Sequence, residues 1–139
     1  MLINQKQLST FLETWIDTPY LHRQRQPKRG VDCLNLLIAF LQHAGKDVDT
    51  DVAYCTTPTV GILYDILHHD LKLKQLRELP EYLEFGDVLT IYRLGGIPYH
   101  VAIYIGNNTC VECNDTRVHV RTLSKPFKRR VASVWRLDD

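Results

Sequence analysis

After Gly86 the spacing of apolar residues in this 139-residue chain changes from helical to alternating, and that change constrains the fold more than any other feature. Before it, Leu8, Phe11, Leu12, Trp15 and Ile16 recur at the intervals that line one face of a helix. Pro19 ends that helix by forcing the preceding backbone into extended or turn geometry. Residues 21 to 31 read as a polar, basic loop. A second helix is expected from Asp32, as its N-cap, to a stop at Gly45; it is apolar on nearly every face and should be central and buried. A third, weaker helix is expected from about Thr59 to Asp70. After Gly86 the segments VLTIYRL, HVAIYIG, TCVEC, RVHVRTL and VASVWRL alternate as strands do. Helices followed by antiparallel strands make an α+β domain. With no repeat, low-complexity tract or linker, residues 1–139 are expected to form one domain.

A chain of this length buries roughly two thirds of its unfolded surface, so it needs neither a disulfide nor a metal to fold. The net charge of +1 gives no general attraction to nucleic acid or membrane. Basic residues do cluster in HRQRQPKR and KPFKRR, which read as solvated loops. No apolar run reaches the length of a membrane span, and the N-terminal residues lack a basic region followed by an apolar stretch. A soluble product without a conventional export signal is expected. The four cysteines, irregularly spaced, suit a reducing cytoplasmic origin.

In RGVDCLNLLIAF, Cys33 stands at the start of the second helix. A thiol there feels the positive end of the helix dipole beside free backbone N–H groups, which is a nucleophile's position. Asp32 opposes a thiolate unless its charge is occupied in capping or by a cation such as Arg29. A small buried apolar residue is the competing reading of Cys33. His100 opens an alternating strand after a loop containing Gly95, Gly96 and Pro98; such a ring can be held by the strand yet stay accessible for general base work. His22 and His119 have no evident partner. Cys110 and Cys113 form a CxxC, but three residues apart on a strand they face opposite sides, and no second pair at zinc spacing exists. No zinc or redox function is expected of them, and Cys55 is read as packing. No metal or cofactor is expected.

These features together resemble the NlpC-type cysteine peptidases, papain-like enzymes that cut peptidoglycan stem peptides. WIDTPYLHRQRQPKRGVDCLNLL is similar to the family's tryptophan, Thr-Pro-Tyr, variable loop and Gly-x-Asp-Cys block; FGDVLTIYR and HVAIYIGNN are similar to its two strand motifs. The resemblance implies a papain-like fold with the nucleophile at a helix start packed on an antiparallel sheet. It implies Cys33 as nucleophile and His100 as base, with Glu112 in the third position, where the family commonly has histidine. It also implies that Tyr20 lines the site and that Asp32 meets a free amine of the stem peptide. The bond often cut in the family joins γ-D-glutamate to a diamino acid. Leu34 and Asn35 replace the usual Ser-Gly, and Glu84 or Phe85 replaces a proline.

Strand alternation tests the third residue. His100, Ala102 and Tyr104 share a face. A three-residue loop of Gly106, Asn107 and Asn108 pairs Ala102 with Glu112 and puts Glu112 on that face. A two-residue loop of Asn107 and Asn108 puts Val111 and Cys113 there instead. Asn114 is the alternative orienter. The manner of the tryptophan block resembles peptidases encoded with phage tail genes, so tail proteins are expected partners and delivery to the cell wall by a particle or a secretion machine is expected. A thiol acyltransferase or amidase of the same superfamily, and a non-catalytic tail assembly component, are the alternatives.

Overall fold

The computed structural model describes residues 3–48, 62–78, 82–92 and 98–137. Helix α1 spans Gln5–Trp15 and starts from a reciprocal cap: Gln7 N–H donates to Asn4 Oδ1 at 2.8 Å and Asn4 N–H to Gln7 Oε1 at 2.9 Å. It buries Leu8, Phe11 and Trp15 and ends at Ile16. Helix α2, Cys33–His43, is capped by Asp32 as its sequence implies, and its apolar side chains from Leu36 to Leu41 are all buried. Between the two helices, strands β1 (Arg25–Gln26) and β2 (Gly30–Val31) pair as a small hairpin. The segment read as a loop is therefore folded on itself, through strands too short to show a period. The third helix is α3, Ile62–Asp65, continued by a π-helical turn over Ile66–Asp70; its expected start, like Cys55, Gly95 and Gly96, lies outside the described residues.

Strands β3 (Leu73–Gln75), β4 (Val88–Tyr92), β5 (Pro98–Gly106), β6 (Thr109–Cys113), β7 (Val118–Thr122) and β8 (Val131–Leu137) form an antiparallel sheet in the order β3-β8-β4-β5-β6-β7. Five of them coincide with the alternating segments; β3 is additional. The architecture is thus α+β, helices plus a six-stranded antiparallel sheet. Val88, Val101, Ile103, Val111 and Trp135 join Phe11, Leu37 and Phe40 in the main core, while Leu89, Ile91, Ala102, Cys110 and Val134 form a second cluster with Leu123 and Phe127. Phe127 belongs to a one-turn helix, α4 (Lys125–Lys128), capped by Ser124. KPFKRR is accordingly anchored by one buried aromatic, while its basic side chains are exposed.

The FGD motif fixes the entry to β4. Gly86 takes a φ of +91°, which favours glycine. Asp87 is fully buried, and Arg136 of β8 donates to its two oxygens at 2.8 and 2.9 Å. Glu84 N–H donates to Asp87 Oδ2 at 2.8 Å, closing the turn without the proline expected there.

Candidate active site

The residues before Cys33 are pinned from several sides. Val31 N–H donates to Pro19 O, and Val31 O accepts from Leu21 N–H and from the Cys113 thiol at 3.4 Å. Asp32 is fully buried; Oδ1 accepts from Asn35 N–H at 2.8 Å and Asn35 Nδ2 at 3.0 Å, and Oδ2 from Arg23 N–H at 2.7 Å. Asn35 Oδ1 in turn accepts from Arg25 NH1 at 3.1 Å. Asn35, a departure from the family pattern, thus ties the helix start to β1. His22, without an evident partner in the sequence, lies 3.8 Å from Asp32.

These bonds engage both Asp32 oxygens in shaping the helix start, and a carboxylate has accepting capacity beyond them. Capping occupies the Asp32 carboxylate, which is the first of the two conditions under which it would not oppose a thiolate.

Cys33 is buried at the first position of α2. His100, also buried, makes side-chain hydrogen bonds to both Cys33 and Glu112. Its Nε2 lies 2.7 Å from Glu112 Oε1, which leaves Nδ1 for the thiol. Burial disfavours charge on the ring, but the bonds and charges of Cys33 and Glu112 outweigh it, and the pKa is pushed up to about 9. Burial likewise acts against the Glu112 carboxylate, yet His100 and Arg121 hold its pKa down at about 2. The arrangement favours a charged ring between Cys33 and the Glu112 carboxylate.

The hairpin reaches this register by an unexpected route. Its loop has two residues, Asn107 and Asn108, with φ of 52° and 58°, closed by the Gly106–Thr109 pair. Two positive φ values match the twist of the strands. Such a loop alone turns Glu112 away from His100. The register then shifts between Tyr104 and Gly106, so Ile105 is extra, and Tyr104 pairs with Cys110 and Ile103 with Val111. Continued one residue, this sets Ala102 opposite Glu112. The bulge supplies the residue that the three-residue loop was expected to supply.

Asn114 does not reach His100. Its Oδ1 accepts from Thr116 and Arg117 N–H at 2.7 and 2.8 Å, and its Nδ2 lies 3.4 Å from His119. As alternative orienter it is displaced by Glu112. Tyr20 does stand at the site: burial, followed by Asp32, Cys33, Tyr99 and Cys113, raises its phenol pKa. Cys110 and Cys113 lie in different apolar clusters, and burial pushes both thiols up to about 12.

Two residues of the site were not found in the sequence. His119 sits directly opposite Glu112 in the β6–β7 pairing, and its Nε2 is 2.7 Å from Glu112 Oε2. Arg121 NH1 donates to the same oxygen at 3.0 Å. Alternation in RVHVRTL puts both on one face, but only the pairing shows that Glu112 lies across from them.

The NlpC/P60 family model matches residues 17–136. No curated protein matches the chain. Among solved structures, the fold is similar to an NLP/P60 family protein, described as similar to a lipoprotein, from Staphylococcus aureus subsp. aureus Mu50 (TM-score 0.66, 17% identity, 99% of this chain and 43% of that one). It is also similar to an NlpC/P60 family protein from Bacillus cereus ATCC 10987 (TM-score 0.65, 18% identity, 94% and 38%). The NlpC/p60 domain of peptidoglycan hydrolase SagA is similar over its whole length (TM-score 0.60, 20% identity, 97% and 100%). The chain spans less than half the length of the first two.

Proposed function

The chain belongs to the NlpC/P60 family, and from that premise we propose that it is a cysteine peptidase hydrolysing an amide bond in peptidoglycan stem peptides. The observation that carries this reading is the placement of His100 between Cys33 and Glu112. The Cys33 thiolate attacks the amide carbonyl carbon, and the His100 imidazolium then gives its proton to the leaving amine. Water, deprotonated by the neutral ring, cleaves the acyl-enzyme thioester and restores the thiolate. Backbone N–H groups in the first turn of α2 have no partners within the helix and are suited to stabilising the oxyanion. Glu112 orients the ring and stabilises its charged form, and Tyr20 lines the site. The γ-D-glutamyl to diamino acid bond is the scissile bond we assign, by family resemblance. On this reading the enzyme acts at the cell wall after delivery by a phage particle or a secretion machine.

Purified wall fragments incubated with the wild type and with Cys33→Ala, and resolved by mass spectrometry, test the proposal. New stem-peptide termini are expected with the wild type alone. Their absence with wild type, or equal release by Cys33→Ala, overturns the reading; acyl transfer without hydrolysis would assign the same thiol to a transferase.

A further inference from the structure

Glu112 is 2% exposed, and its oxygens face different strands: Oε1 meets His100 of β5, whereas Oε2 meets His119 and Arg121 of β7. A carboxylate so placed can fail in two ways. Burial favours its neutral form, and its rotatable side chain can swing away from the ring. His100 helps to hold the charge but touches only one oxygen, Oε1, and leaves the other to its neighbours. We propose that His119 and Arg121 are positioning residues: by holding Oε2 from the neighbouring strand, they keep Glu112 an anion with Oε1 on His100. The inference deepens the peptidase reading and rests on it for its catalytic consequence.

The surroundings agree. Arg121 is itself fixed, its guanidinium lying 4.2 Å from the centre of the Phe127 ring on α4. His119 lies opposite Glu112 and needs only an Nε2–H, available to the neutral ring, to donate. The other titratable groups that the Glu112 charge reaches are Cys110 and Cys113 on its own strand, whose pKa values burial raises, and His100, which leads on to Cys33. Arg121 is thus the permanent cation beside the carboxylate among the groups named.

The test measures alkylation of Cys33 by iodoacetamide against pH, with peptide mass readout, in the full chain. Arg121→Met removes the cation, weakens the hold on the imidazolium and makes the thiolate harder to form. The midpoint should move up by about 1 pH unit, the low end of the effect of a neighbouring charge. His119→Phe should move it in the same direction, and Arg121→Lys and His119→Gln should restore most of the shift. In wall hydrolysis kcat should fall about tenfold with KM unchanged. Combining Arg121→Met with Glu112→Gln should add nothing to Glu112→Gln alone, because both act through one carboxylate. Should Arg121→Met not fold, Arg121→Gln carries the same expectation. Unchanged midpoints in folded variants, or additive losses, overturn the inference. A wild type that alkylates at Cys33 but cuts no wall overturns the peptidase reading alone.

Discussion

At the scale of the residue, the site depends on a thiol that must ionise where other thiols do not. Cys110 and Cys113 are buried with pKa values pushed up to about 12, whereas Cys33 faces a ring whose charge is favoured. Iodoacetamide at mildly acidic pH should therefore label Cys33 selectively; equal labelling of Cys33, Cys110 and Cys113 would defeat the ion pair. Cys33→Ala should abolish wall hydrolysis while circular dichroism and melting stay near wild type, since a small side chain is lost at a helix start. His100→Ala should cost about as much, because groups acting as a unit are not additive. Glu112→Gln retains an acceptor without the charge and should reduce activity partially, and Glu112→Ala more. Cys33 was legible because it opens a regular helix, and His100 because it lies near the start of an alternating strand, two residues after Pro98 opens β5. Asp32 was legible as a cap, whereas its burial was not, because that depends on Arg23 and Asn35 closing over it.

At the scale of the element, legibility followed length. Helix α2 and strands β4 to β8 carry enough residues to show a period. The β1–β2 hairpin and β3 have two or three residues a strand, and their pairing is decided by what they lie against. The β5–β6 hairpin shows the subtler failure: its two-residue turn could be read from Asn107 and Asn108, but a bulge at Ile105 has no sequence signature and reverses the conclusion drawn from the turn. Gly30 in β2 is where such local packing can be tested. A Cβ built there would lie 2.8 Å from Leu21 Cβ and 2.9 Å from Leu21 Cγ, so the backbone of the 21–31 segment must give way. Gly30→Ala should lower stability by about 1–3 kcal/mol in urea unfolding, the usual range for overpacking. It should also depress activity further, because that segment supplies the Arg23 N–H that anchors Asp32 beside Cys33. An alanine variant as stable and active as wild type would show that the hairpin does not fix the nucleophile.

At the scale of the whole molecule, the same charges that prepare the chemistry contribute to folding, and their signs define a pH window. Glu112 has a folded pKa of about 2, below its ordinary 4.5, so its contribution is complete above 4.5 and is lost as pH falls toward 2. His100 has a folded pKa of about 9, above its ordinary 6.5, so its contribution is complete below 6.5 and is lost as pH rises through 9. Both are fully present only between about pH 4.5 and 6.5. Melting temperatures across pH should therefore separate wild type from Glu112→Gln most above pH 4.5, the gap closing in acid. The gap between wild type and His100→Ala should be widest below pH 6.5 and close in alkali. The packing lost with the imidazole shifts the second curve without changing its slope, so the closing of the gap isolates the charge from the volume. Parallel curves at all pH values would mean that the buried pair is held by its packing and hydrogen bonds in a neutral state, and the charged arrangement around His100 would have to be abandoned.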